Sequence, residues 1–207
     1  ALSATAPPKV RADIIRLLRL QNPIIKVCSA SRSNLTYLFK RREKDPLRDV
    51  LSALKNSRGA SLIYVSTRRL VGYWTDLLNR NGVRAASYHA GLNSAERADS
   101  LQKFLSEPQP VLVATIAFGM GIDRSDVGLV LHLNLPANPE RYLQESGRAG
   151  RDGLPAKCIV LFSPGDRIKF YWAMHSSQSK NRKILTEDEI TSRDEIIRDK
   201  LRIMEEV

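Results

Sequence analysis

No glycine in these 207 residues is followed by lysine. The eleven glycines therefore supply no G-x-x-x-x-G-K-[ST] loop, whose backbone N–H groups and lysine cradle a nucleoside triphosphate. Carboxylates for magnesium are missing in the same sense. Asp188-Glu189 and Asp194-Glu195 are the only Asp-Glu pairs, and both lie in a polar, helix-like run rather than after an apolar strand. Cys28 and Cys158 are far apart, each inside an apolar run of strand character, which gives neither a disulfide framework nor a zinc spacing. Buried, reduced thiols are expected. His89, His132 and His175 are equally scattered, so no metal site is expected in this chain. No stretch approaches the ~18 apolar residues of a membrane span, and the N-terminus lacks a signal-peptide pattern. The expectation is a cytosolic or nucleoid-associated protein, nuclear if the source is eukaryotic, with no membrane partner.

What is present is charge and a core. With 43% hydrophobic residues the chain can bury one domain with an appendage, or two small ones. The formal charge is +11, and residues 185–207 hold four Lys/Arg against eight Asp/Glu, which leaves +15 on residues 1–184. Such a field favours polyanions. At 6% aromatics it points to phosphate-backbone contact more than to base stacking. The chain opens on Ala1-Leu2-Ser3 without an initiator methionine, so a piece of a longer protein is expected.

Short β-rich apolar runs alternate with longer helical patterns, the arrangement of β-α units around a parallel sheet. The strand candidates are residues 24–29, 35–39, 61–66, 84–88, 111–115, 129–133 and 157–162. Helices are expected from Pro7 or Pro8 to about Leu20, over 47–55 after Pro46, over 70–79 before Gly82, and over 95–105 after Asn93-Ser94. Asn138-Pro139 is a further start signal, since Asn caps and Pro suits the first helical position. Residues 164–178 read as a helix in which Phe170, Tyr171 and Trp172 pack. Thr186-x-x-Glu189 reads as a capping box for a last helix to Val207.

The most informative stretch is residues 144–153, Gln-Glu-Ser-Gly-Arg-Ala-Gly-Arg-Asp-Gly. If it is helical, Gln144, Arg148 and Arg151 share one face, within the third turn of the helix that Asn138-Pro139 opens. Gly147 and Gly150 each cost about 1 kcal/mol of helix propensity against Ala, which implies close backbone packing or a ligand. Arginine suits phosphate because its planar fork stays charged and binds bidentately. Upstream, the strand candidate 111–115 runs into Ile116-Ala117-Phe118-Gly119-Met120-Gly121-Ile122-Asp123. Ligands in open α/β sheets bind at the carboxyl ends of strands. There Gly119 and Gly121 would admit a phosphate or ribose, and Asp123 could accept from ribose hydroxyls.

Together, residues 117–123 and 144–153 resemble motifs V and VI of the RecQ-type DNA helicases of superfamily 2, in their second RecA-like lobe. Leu2-Ser3-Ala4-Thr5-Ala6 resembles motif III, Ile63-Tyr64-Val65-Ser66-Thr67-Arg68 resembles motif IV, and Tyr88-His89-Ala90-Gly91-Leu92 resembles the segment after the next strand. The resemblance implies an α/β fold, a RecA-like three-layer domain with a central, mostly parallel sheet between helices, plus a C-terminal helical extension. Residues 1–30 would hold the end of motif III and the inter-lobe segment, 31–166 the lobe, and 167–207 the extension toward a downstream zinc module.

The resemblance also implies roles. Arg148 and Arg151 would reach the terminal phosphate of ATP across the cleft, Arg151 as the arginine finger and Gln144 aligning them. Asp123, Gly119 and Gly121 would face the nucleotide. Thr115, Ser66 and Arg68 would hold phosphates of single-stranded DNA, at forks in the intact enzyme. Ser3 and Thr5 would couple hydrolysis to DNA movement. His89 is either a DNA contact or a core or loop-bracing residue. ATP with Mg²⁺ would be bound mainly by the first RecA-like lobe, the partner of this one, so the chain alone should be inactive as an ATPase. Arg32-Ser33-Asn34-Leu35 departs from the family's Arg-Pro-Asn-Leu, which touches only the local turn. A DEAD-box-type RNA helicase lobe would carry His-Arg-x-Gly-Arg-x-x-Arg instead of the string at 144–151. A non-catalytic nucleic-acid-binding module is the remaining alternative.

Overall fold

The computed structural model describes residues 8–26, 32–43, 45–119, 123–136, 139–163 and 166. Six strands, β1 (Leu35–Arg41), β2 (Ala60–Tyr64), β3 (Ala85–Tyr88), β4 (Val111–Ala114), β5 (Val127–His132) and β6 (Ala156–Phe162), form one sheet in the order β1-β6-β5-β2-β4-β3. Every pairing is parallel. Parallel strands are covered on both faces and so read as unbroken apolar runs. All residues of β2, β4 and β5 are buried.

Helices cover both faces. On one, α2 (Pro46–Lys55) and α3 (Arg68–Arg80) lay Val50, Val71, Trp74 and Leu78 on Ile63, Val113, Leu129 and Leu131. On the other, α4 (Ser94–Ser106) contributes Phe104 to Leu62, Leu112 and Val130. The same face carries α5 (Pro139–Ser146), whose Tyr142 packs on Val160. This is the three-layer α/β arrangement the sequence implied. Asp45 and Thr67 cap α2 and α3, and Asn93 and Glu96 form a reciprocal capping box at α4, so each helix starts where an orphan N–H finds a side-chain oxygen.

Two expectations fail. The run 24–29 is not a strand over its described part: Ile24 to Lys26 lie outside any strand, with Ile24 99% exposed. Apolar residues after Pro23 find no neighbouring strand there, and the sheet's edges are β1 and β3. The first helix, α1 (Pro8–Leu17), also stops short of Leu20. Pro7, Cys28, Asn138 and the helices and capping box expected beyond residue 166 lie outside the described residues.

Candidate functional site

β4 and β5 flank β2, and the described residues of the connection between them, 115–119 and 123–126, contain no helix. Irregular backbone laid on a sheet needs partners for its carbonyls. Two side chains supply them. The Tyr64 hydroxyl donates to the Phe118 carbonyl at 3.0 Å, and Arg148 Nη2 donates to the Gly119 carbonyl. Phe118 is pinned by Tyr88 and Phe104, with ring centroids 4.9 and 5.3 Å away. A Cβ on Gly119 would stand 3.3 Å from the Ile116 carbonyl oxygen, a tight approach, and in ordinary contact at 3.5 Å with Arg148 Nη2. Burial raises the Tyr64 phenol pKa, and the Arg148 guanidinium opposes that rise.

The arginines do not share a helical face, because α5 ends at Ser146. The chain then tightens into i→i+3 turns, with Arg148 N donating to Glu145 O and Ala149 N to Ser146 O at 3.3 and 3.0 Å. Gly147 and Gly150 do mark close packing. A Cβ on Gly147 would meet the Leu143 carbonyl oxygen at 2.8 Å, and Gly150 has φ +55 and would strike Asn34 Nδ2 at 2.6 Å. Gln144 stays exposed on α5. Arg148 is buried at 7% exposure, and its Nε has no hydrogen-bond partner among the described residues. Arg151 places Nη1 2.9 Å from Asp123 Oδ1.

Asp123 is not at the carboxyl rim of the sheet. The connection leaves the carboxyl end of β4, and by residues 125–127 it stands at the amino end of β5, where Asp152 N donates to Ser125 O and Gly150 N to Val127 O. The structure thus brings Arg148, Gly119, Arg151 and Asp123 together along one loop. Gly121, Ser3 and Thr5 lie outside the described residues.

The remaining candidates form a second group. Ser66, His89 and Thr115 follow β2, β3 and β4, adjacent parallel strands, and so line one carboxyl rim. Ser66 and Arg68 are exposed, and Ser66 N donates to Asn134 Oδ1 at 3.3 Å. Thr115 N donates to Tyr88 O at 3.1 Å. His89 Nδ1 accepts from Gly91 N at 3.1 Å, within its own turn. A Cβ on Gly91 would stand 3.0 Å from Arg68 Nη1, so Arg68 lies across that turn.

Residues 43–153 match the model of the helicase conserved C-terminal domain, more than half of the chain. The chain belongs to that family, as a lobe of the RecQ type. It is 40% identical over 184 residues to the ATP-dependent DNA helicase RecQ of Bacillus subtilis, covering 88% of this chain and 31% of the relative. It is 41% identical over 187 residues to the ATP-dependent helicase wrn-1 of Caenorhabditis elegans, covering 87% of this chain and 18% of the relative. The chain therefore spans a third or less of these curated relatives. Among solved structures, Dbp5 of S. cerevisiae bound to RNA and ADP BeF3 shares the fold, with TM-score 0.66 and 21% identity over 98% of this chain and 54% of that one.

Sequence reasoning missed the residues that hold this RecQ-type lobe's arginine turn. Arg32 Nη1 donates to the Ala149 carbonyl at 2.9 Å and its Nη2 to the Gly150 carbonyl. Asn34 Nδ2 lies 2.8 Å from the Gly150 oxygen and 2.9 Å from that of Leu154. The Arg32-Ser33-Asn34 departure thus keeps both gripping side chains and changes only the residue between them. Arg58 holds Asp152 bidentately at 2.7 and 2.8 Å, which lowers the Asp152 carboxyl pKa. His132 stands in the apolar strand β5 and fits no metal spacing in the sequence. A polar ring inside a buried strand signals a buried partner, which here is Glu145. Among the described residues, no group of three or more His, Cys, Asp or Glu is placed to hold a metal ion, and no helix is long and apolar enough to cross a membrane.

Proposed function

We propose that this chain is the second motor lobe of an ATP-dependent 3′-to-5′ DNA helicase, presenting arginines to an ATP whose phosphate loop and Mg²⁺ ligands belong to the first RecA-like lobe. The observation that carries the reading is the posture of the two arginines. Arg148 and Arg151 leave the same turn and engage the same loop, at Gly119 and Asp123, rather than dispersing into solvent. An Arg148 Nε without a partner among the described residues is a donor left over for a phosphate oxygen, and an arginine beside an exposed carboxylate fits a finger held ready by a weak partner. Stabilising charge on a transferring phosphoryl group is worth about 10³ to 10⁵ in rate for such fingers.

Gln144, exposed on α5 beside this turn, would align them, and Asp123 with Gly119 and Gly121 would face the ribose and phosphates. Ser66, Arg68, Thr115 and His89 would hold the phosphates of single-stranded DNA along the carboxyl rim, and Ser3 and Thr5 would couple the two events. DNA forks would be the substrate of the intact enzyme.

The test uses the parent protein with both lobes. Arg151→Ala is expected to abolish ATP turnover while leaving single-stranded DNA binding within about twofold, and an unchanged turnover number would overturn the finger assignment. The isolated 207 residues are the companion sample. Their ATP turnover should be negligible, because a two-sided cleft cannot form on one lobe.

A further inference from the structure

His132 and Glu145 are buried together beneath the arginine turn. His132 closes β5 with 2% of its surface exposed, and Glu145 precedes the last residue of α5 with 8%. His132 Nε2 and Glu145 Oε2 are 2.8 Å apart. The imidazole stacks on Tyr64 at 5.1 Å and meets the Tyr142 ring edge-on at 5.3 Å. Its Nδ1 has no partner among the described residues, so the bond to Glu145 is what fixes the ring's polar side.

Apolar contact between a helix and a sheet is non-directional and tolerates sliding. A buried hydrogen bond does not. Shifting α5 along the sheet would leave two buried polar groups unpaired, each without water to replace the lost bond. Arg148 follows three residues after Glu145, and its backbone N donates to the Glu145 carbonyl. Whatever fixes Glu145 therefore fixes where the Arg148 guanidinium emerges. Tyr64 closes the arrangement from β2, since it stacks on His132 while its hydroxyl holds Phe118, the residue before Gly119.

We infer that His132 and Glu145 are positioning residues for Arg148: their buried bond sets the axial place of the end of α5, so that the guanidinium meets the Gly119 carbonyl. The inference rests on the reading of Arg148 as an ATP-facing arginine. Reach, rather than charge, is the property required of residue 145. A Gln keeps the length and can still bond the imidazole. An Asp keeps the charge and falls short of it.

The experiment is steady-state ATP turnover of the intact parent protein, with a deoxythymidine oligonucleotide as the activating strand and thermal midpoints recorded in parallel. Glu145→Gln is expected to keep kcat within about threefold. Glu145→Asp is expected to lower kcat about 10-fold or more with KM for ATP unchanged, the sign of a lost transition-state alignment. The apolar pair His132→Leu with Glu145→Leu removes both polar partners, so its thermal midpoint should hold or rise while kcat falls as in Glu145→Asp. A wild-type kcat in Glu145→Asp overturns the inference, as does a Gln variant as impaired as the Asp variant. Arg148→Ala separates the two levels. If it leaves turnover intact, the ATP-facing reading itself is wrong. If it is inactive while Glu145→Asp is normal, only the positioning role falls.

Discussion

Cys158 shows how completely position decides a residue's chemistry. A thiol reacts as its thiolate, and near pH 8 an ordinary cysteine supplies a useful fraction of it. Cys158 lies fully buried in β6, where desolvation pushes its pKa up to about 12 despite the opposing charge of Arg32. Its Sγ faces the Ser146 carbonyl at 3.7 Å. The group is thus protonated, without access to solvent, and packed under the arginine turn. In native protein treated with iodoacetamide at about pH 8, the peptide carrying Cys158 should stay unmodified for hours, and denaturant should render it fully reactive. Peptide mass mapping reads this site separately from Cys28. Native alkylation at the rate of a free thiol would mean that β6 opens far more readily than its central pairing with β1 and β5 implies.

At the scale of elements, α3 joins a well-specified start to one weak internal position. Thr67 caps it, and Val71, Trp74 and Leu78 bury a face, yet Gly72 sits in its first half with nothing within 4 Å of where a Cβ would lie. A glycine there costs backbone entropy without gaining room for anything. Gly72→Ala should therefore stabilise the lobe by about 0.5–1 kcal/mol, read as a raised urea midpoint at unchanged m-value. A loss of stability would show that the position needs the glycine for a contact the lobe alone does not make. The elements were legible for a physical reason. Strands buried on both faces are unbroken apolar runs, and six of seven candidates correspond to β1–β6. The seventh, at 24–29, had the same composition but no partner strand over its described part, and hydrophobicity alone does not supply one. The end of α5 is not legible in sequence, where Gly147 weighs only as a cost within a helix; the chain leaves the helix there in a turn so close that a Cβ would stand 2.8 Å from the Leu143 carbonyl oxygen. The separation of Arg148 from Arg151 follows from that turn. The grips of Arg32 and Asn34 on residues 149–154 span more than a hundred positions, and no local pattern carries such distances.

For the molecule as a whole, topology separates the candidate residues into two regions. The parallel order places the carboxyl ends of β2, β4 and β3 side by side, and the rim they form holds Ser66, Arg68, Thr115 and His89. The arginine turn lies beyond the far end of the same loop, where it meets the amino end of β5. If the rim binds single-stranded DNA through phosphates, affinity should follow counterion release, with log K falling against log salt by about 0.7 per phosphate neutralised. Engaging about four phosphates would then cost roughly 50-fold in affinity between about 50 and 200 mM salt, measured by fluorescence anisotropy with a deoxythymidine oligonucleotide. The two regions predict opposite behaviour for their arginines. Arg68→Ala should weaken binding and flatten the slope by about 0.7, because one phosphate contact is gone. Arg151→Ala should leave the slope where it was, since Arg151 Nη1 pairs with Asp123 at the arginine turn. A salt-insensitive interaction, or a slope that shifts with Arg151 rather than Arg68, would move the nucleic-acid surface away from the carboxyl rim and onto the face that carries the arginine turn.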